Sequence, residues 1–379
     1  MKRVVLLRST PVQPDPPVEK MANTLLAEGY HVTIVAWDRN SNEECICSQI
    51  KFSNGTAEIV RFGIPAQFGG GLKKTLKPLI CFQWKLFSWL IHNRKKYDII
   101  HAFDFDTGYI ACKVAKLCNK KIVYHILDYY IASHGLTGSR LGAMIEKREI
   151  KVINSVDATV ICTEKRREQI AKACPRQLYV IHNTPDGNMI SSEIDIDIQG
   201  DKEKAKIVYV GIFGRKRFLQ ETFEVVRGRD DIEFHIGGFG DIENEVVQEA
   251  NTNSNVFYYG RLPYAKTLAL EKHCDIMFAM YDPVIPNHQY SAPNKFYEAL
   301  MLGKPIIMAK NTGFDDVICK EEVGVTAEYS ADGLMKAVSE LLMQRSKWDR
   351  ISKNARTLYE REYSWELMHQ RICEMYSKL

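Results

Sequence analysis

Short apolar runs of strand length recur through this chain, and stretches of helical spacing follow them. The first series is "RVVLLR" (3–8), "HVTIVAW" (31–37), "DIIHAF" (98–103), "KIVYHI" (121–126), "ATVIC" (158–162) and "LYVIHN" (178–183), with helix-like stretches such as 18–28 and 107–118 between them. A polar, charge-rich stretch over 185–206, "PDGNMISSEIDIDIQGDKEKAK", interrupts the pattern. The series then restarts with "KIVYVG" (206–211), "IEFHIGG" (232–238), "NVFYYG" (255–260), "DIMFAMY" (275–281) and "PIIMA" (305–309). Strand–helix alternation places helices over a parallel sheet. The interruption reads as a linker, so the pattern predicts two α/β domains of similar size facing a central cleft. One large doubly wound sheet is the alternative.

A chain of 379 residues suits two domains. A net charge of +4 is too small for bulk nucleic-acid binding, so no nucleic-acid partner is expected. The ten cysteines form no C-x-x-C pair and no Cys/His metal spacing, and read as reduced thiols of a cytoplasmic protein. The N-terminal "MKRVVLLRSTPVQPDPP" has too short an apolar part for a signal peptide and breaks at prolines. No apolar run reaches the roughly 20 residues needed to span a bilayer.

Several nucleotide and hydrolase motifs are absent. The loop after the first strand, "STPVQPDPP", has no glycine, which argues against a nicotinamide site, and "GGFGD" (237–241) fits only part of that fingerprint. G-x-x-x-x-G-K-[ST], H-E-x-x-H and G-x-S-x-G do not occur.

The most informative stretch is "SAPNKFYEALMLGKPII" (291–307). Pro293 suits the first turn of a helix, Ser291 is a candidate cap, and Gly303 with Pro305 is a stop. The free N–H groups at such a helix start attract an anion, with Asn294 and Lys295 beside it. Glu298, one turn on, could accept two hydroxyl hydrogen bonds as a carboxylate gripping a ribose does. The competing reading is an amphipathic surface helix with an ordinary glutamate.

This stretch resembles the donor-binding motif of GT-B-fold glycosyltransferases, specifically the retaining family four group, in which two glutamates flank seven residues and G-x-P-hydrophobic follows. Glu298 and "GKPII" match its second half. "VIHNTPD" (180–186), "YVGIFGRKR" (209–217), "GR" (260–261) and "YSWELMHQRICEMY" (363–376) extend the resemblance over nearly the whole chain. It implies a GT-B fold of two Rossmann-like domains. Residues 1–186 would bind the acceptor and 205–360 the nucleotide sugar, with the terminal helix over 361–379 packing back on the first domain.

The resemblance also assigns roles. Glu298, Asn294, Pro293, Tyr290, Gly211 and Arg215 would bind the donor, while Arg217 and Lys295 would stabilise the departing diphosphate. Arg holds phosphate with two parallel donors and Lys acts as a point charge. "RKR" at 215–217 reads otherwise as a solvated charge cluster. The sequence departs from the family pattern at four places, one being the prolines that replace the glycine-rich loop of the first domain. Tyr290 stands where the first glutamate belongs, the nearest upstream acid being Asp282. Ile212 replaces an arginine, and Arg217 falls where a lysine is usual. Sugar identity and stereochemical outcome are left open by these changes.

In the first domain, His125 and Asp128 near the end of "KIVYHILDYY" could contact the donor sugar or an acceptor hydroxyl and are the catalytic candidates there. His125 could equally be structural. His101 and Asp104 in "HAFDFDTG" are acceptor-site candidates, and Asp104 could instead cap the next helix. No metal is expected: "DFD" (104–106) has the D-x-D form but follows a first-domain strand, away from the expected diphosphate.

Between Glu58 and Asp98 there is no acid but eight Lys/Arg. Within it, "FGGGLKKTLKPLICFQWKLFSWLIHNRKK" (68–96) mixes aromatics with lysines as interfacial helices do, which predicts docking on an anionic membrane surface. The competing reading packs Phe82, Phe87 and Trp89 in the core.

The sequence therefore predicts a metal-independent, retaining transferase that needs no cofactor and moves a sugar from a UDP- or GDP-linked donor to a glycan or lipid-linked acceptor. Its setting would be cell-surface polysaccharide or glycolipid synthesis, in the cytoplasm or peripheral on the inner face of the cell membrane. A GT-B sugar-nucleotide epimerase or hydrolase and a non-catalytic sugar-nucleotide-binding protein are the alternatives.

Overall fold

The computed structural model describes residues 2–66, 71–187, 194 and 196–379. The chain forms two compact units, residues 1–183 with 368–379, and Thr184–Leu367.

The first unit opens with β1 (Arg3–Arg8), α1 (Pro16–Ala27) and β2 (His31–Asp38). A hairpin follows, β3 (Ile46–Phe52) and β4 (Gly55–Gly63), then the long helix α2 (Gly71–His92). The alternation continues through β5 (Ile99–Phe103), α3 (Asp104–Cys118), β6 (Lys121–Ile126), α4 (Tyr130–Ser133), α5 (Arg140–Ile153), β7 (Ala158–Ile161), α6 (Arg166–Gln169) and β8 (Leu178–Val180). The sheet order is β3-β4-β2-β1-β5-β6-β7-β8. Only β3 is antiparallel to its neighbour.

Sequence patterning predicted neither β3 nor β4. β3 sits at the sheet edge with most of its side chains in water, so "ICSQIKF" lacks the apolar run that marks the inner strands. β5, by contrast, lies between two parallel neighbours and is buried at every position.

The second unit contains β9 (Ala205–Phe213), α7 (Leu219–Val226), β10 (Ile232–Gly240), α8 (Glu243–Thr252), β11 (Val256–Tyr258), α9 (Tyr264–His273) and β12 (Ile276–Ala279). It continues with α10 (Asn294–Leu302), β13 (Ile306–Ala309), α11 (Asp315–Glu321), β14 (Gly324–Ala327), α12 (Ala331–Met343) and α13 (Trp348–Leu358). Its parallel sheet runs β11-β10-β9-β12-β13-β14, the doubly wound order of a Rossmann fold. Alternate residues of β9 feed separate cores: Ile207 and Tyr209 one, Val208 and Val210 the other.

The last helix, α14 (Trp365–Ser377), belongs to the first unit from Met368 onward. There Tyr376 shares a 2.8 Å hydrogen bond with His101 Nδ1, and Arg371 donates to the Val180 carbonyl at 2.9 Å. Residues 188–193 and 195 of the expected linker lie outside the described residues. β9 begins at Ala205, one residue before the expected strand.

Candidate active site

In the second unit the strand order reverses between β9 and β12, the place where open α/β sheets bind ligands. A cavity of about 430 Å³ opens there at the carboxyl ends of the strands. Arg217, Arg261, Lys295 and Glu298 line it, with Tyr264 and Tyr281 among its walls.

α10 aims its first turn at this cavity through Pro293, Asn294 and Lys295. Pro293 directly precedes the helix in extended backbone, so it lies one place before the expected first turn. Ser291 is not the cap, because its hydroxyl donates to the His288 carbonyl at 2.9 Å instead. Gly303 ends the helix in the left-handed region at φ 68°, where a side chain would also strike Ser352 Oγ.

Lys295 Nζ donates to the Val210 carbonyl at 2.5 Å and stands 4.2 Å from the Tyr209 ring centre. Burial opposes its charge, but Tyr209, Tyr281, Glu298 and Glu271 outweigh this and raise its pKa, so it remains a cation. A Cβ at Gly211 would come within 3.1 Å of that Nζ, so the glycine makes room for the lysine. Arg217 lies over the Tyr281 ring at 5.1 Å. Arg261 lies over Phe239 at 4.2 Å.

Glu298 is 4% exposed. Its Oε1 accepts the Tyr264 hydroxyl at 3.0 Å. Behind it, Glu271 is wholly buried and neither of its oxygens has a hydrogen-bond partner. Burial, reinforced by Glu298, pushes its carboxyl far above the usual range, so it holds its proton. Tyr264, Thr267 and Glu271 repeat at helical spacing on α9 and share one face. The "GR" of 260–261 pointed to Arg261, but no motif pointed to α9, whose spacing from Tyr264 was the available signal.

In the first unit the order reverses between β1 and β5, and charged groups gather at their carboxyl ends. Arg8 at the end of β1 pairs with Asp104 and, at 2.7 Å, with Asp15. Asp104 Oδ1 also accepts the Leu127 and Asp128 backbone N–H groups at 2.9 and 3.1 Å. Its side chain therefore ties three strand ends together and does not cap α3, whose preceding residue is Phe103. Asp128 is more than half exposed and pairs with the buried Arg166 at 3.2 Å. Arg8 and Arg166 had no sequence signal.

The relation to known proteins agrees with this geometry. Residues 18–186 match the Glycosyltransferase Family 4 domain, and residues 191–358 match the Glycosyl transferases group 1 domain. The chain belongs to the GT-B glycosyltransferases. An uncharacterized glycosyltransferase of Methanocaldococcus jannaschii is 20% identical over 307 residues, 74% of this chain and 75% of that protein. Sucrose-phosphate synthase from Thermosynechococcus elongatus shares the fold with a TM-score of 0.76 at 15% identity, over 100% of this chain and 99% of that one. Anabaena HepE in complex with UDP-glucose superposes with a TM-score of 0.69 at 11% identity, over the whole of both chains.

In this glycosyltransferase the second-unit candidates Arg217, Lys295, Asn294, Pro293, Gly211 and Glu298 come together in one cavity. Two do not line it. Arg215 is exposed and paired with Glu245 at 2.8 Å, and Tyr290 ends a 3₁₀ turn (Pro286–Tyr290) outside it.

Two first-unit candidates change role. His101 and His125 are buried, hydrogen-bonded to each other at 3.2 Å, and each stacked against Phe103. Burial lowers both pKa values, His101 to about 3, so both rings are neutral. Residues on a fully covered inner strand have no face left for a sugar, so these histidines pack the first unit and anchor Tyr376 of α14.

Proposed function

We propose that this glycosyltransferase takes a nucleoside-diphosphate sugar, UDP- or GDP-linked, in the second-unit cavity. One observation carries the reading: a buried carboxylate, three cations and a helix start line the same small space. Glu298, held by Tyr264 through Oε1, accepts the ribose hydroxyls with its carboxylate. Lys295, Arg217 and the first turn of α10 meet the diphosphate, whose negative charge grows as the sugar leaves. Charge stabilisation of this kind favours a retaining, front-face route without a metal or a dedicated base. The UDP-glucose complex of HepE, a protein of the same fold, supports a uridine donor.

The acceptor in this proposal is a glycan or a lipid-linked sugar, with Asp128 and Asp104 as its first-unit contacts, in cell-surface polysaccharide or glycolipid synthesis. α2 supports the lipid-linked form. Its Phe82, Leu86 and Leu90 face the core, while Leu76, Ile80 and Trp84 form an outward stripe with Lys77. Phe87 and Trp89 are half-buried against the core, so the docking face is narrower than the sequence implied. Residues 68–70 and the Lys73 side chain lie outside the described set. No helix among the described residues is long and apolar enough to cross a membrane. Peripheral attachment to the inner face of the cell membrane is therefore the proposed location.

The test is a panel of UDP- and GDP-sugars screened by thermal shift, followed by product analysis with glycan and lipid-linked acceptors. Acceptor-dependent release of the nucleoside diphosphate is expected. Turnover that ignores the acceptor would point to a hydrolase or epimerase instead.

A further inference from the structure

A cavity of about 860 Å³ lies in the first unit at the end of the sheet opposite Arg8 and Asp104. It opens beside Lys121 and Ile122, where β6 begins, between the carboxyl ends of α3 and α5. α3 contributes Lys113 and Lys116, and the turn after it Lys120. α5 contributes Arg148 and Lys151, and the segment before β8 contributes Arg176. With Lys121 these are seven cations against one acid, Asp157, an excess of six in a chain whose net charge is only +4.

Ordinary structural roles explain part of this. Lys116 and Lys151 sit in the last turns of their helices, where a cation complements the carbonyl end. Lys120 donates to the Tyr97 carbonyl at 2.7 Å, and Lys121 pairs with Asp157 at 3.4 Å. Lys113, Arg148 and Arg176 have no such account. Lys113 stands 4.1 Å from the Tyr109 ring centre. Its hydrogen bond, together with the charges of Lys113, Arg148 and Lys151, lowers the pKa of the Tyr109 hydroxyl, and all three cations line the same wall. Like charges this close repel within a Debye length, and a concave wall focuses their field. An anion entering the cavity relieves that repulsion, and the two arginines can grip phosphate with paired donors.

We propose that this cavity is a second binding site, separate from the donor cavity, for an anion carrying two or more phosphate groups. Such phosphates come either on a soluble molecule or on a lipid headgroup. The site does not depend on the donor assignment, because none of its residues lines the donor cavity.

The experiment uses the full chain and titrates pyrophosphate and inositol hexakisphosphate by calorimetry. It is run in an Arg217→Ala/Lys295→Ala background, so that binding in the donor cavity does not contribute. Vesicles of phosphatidylcholine with and without cardiolipin form the lipid arm. Arg148→Glu/Lys151→Glu should weaken binding of the occupied probe by about tenfold or more, and Lys113→Gln/Arg176→Gln should weaken it less. Circular dichroism melts confirm that these surface variants fold. Loss of soluble-probe binding assigns a soluble ligand, and loss confined to cardiolipin vesicles assigns a headgroup. Absence of binding in both arms, or equal binding by wild type and Arg148→Glu/Lys151→Glu, overturns the proposal.

Discussion

Tyr264 donates its hydroxyl to Glu298 Oε1 across 3.0 Å, joining α9 to α10 at the wall of the second-unit cavity. The bond fixes one oxygen of a buried carboxylate and orients the other. Tyr264→Phe should therefore loosen Glu298 without removing it and lower UDP or GDP affinity a few-fold. Glu298→Ala removes charge-assisted hydrogen bonds of about 1.5–3 kcal/mol each, so affinity should fall tenfold or more. Calorimetry on both variants checks this. Unchanged affinity in Glu298→Ala would mean that the ribose sits elsewhere.

Arg217 and Lys295 should matter most as the sugar–phosphate bond breaks. Each alanine variant should lose roughly 10²-fold in kcat, the scale for removing one group that stabilises transition-state charge. Lys295→Ala also frees the Val210 carbonyl and should melt slightly lower. The Arg217 guanidinium lies over the Tyr281 ring, so its loss should leave the melting temperature nearly unchanged. Normal turnover by both variants would show that the diphosphate is held by other groups.

Trp84 is 69% exposed on α2, in one stripe with Leu76 and Ile80. Lys74→Gln/Lys77→Gln should reduce sedimentation with anionic vesicles at low salt, since each cation near such a surface contributes roughly 1 kcal/mol. Trp84→Ser should reduce the binding that survives at high salt, where charge is screened. Equal, negligible pelleting of the wild type with neutral and anionic vesicles would remove the membrane reading.

Glu149 is fully buried and accepts the Tyr124 hydroxyl at 2.7 Å. Burial pushes its carboxyl up to about 8 from an ordinary 4.5. The folded chain thus keeps a proton that the unfolded chain releases. The stabilisation from that proton is complete below about pH 4.5 and is lost as the pH rises toward 8, by up to roughly 1.4 kcal/mol per pH unit. Glu149→Gln cannot ionise, so its unfolding free energy should fall less between pH 5 and 8 than that of the wild type. Parallel urea-melt profiles for the two proteins over this range would contradict the assignment.

The sequence by itself determined most of the parallel strands, their alternation with helices, the two-part division and the bounds of α10. These are properties of neighbours in the chain: period-2 and 3.6-residue patterning, a proline before a helix and a glycine after it. It also supplied Glu298, Lys295 and Arg217, because a helix start and a strand-to-helix turn are local objects. The tertiary structure decided which other groups share their cavity. It separated Arg215, which turns to Glu245, from Arg217 two residues on. It brought Tyr264 to Glu298 across 34 residues and hid Glu271 behind them. It buried His101 and His125 by covering β5 and β6 on both faces, a fact absent from either strand's own residues. Side-chain direction at a loop and burial of a polar group depend on which distant elements close over them, and folding alone sets that.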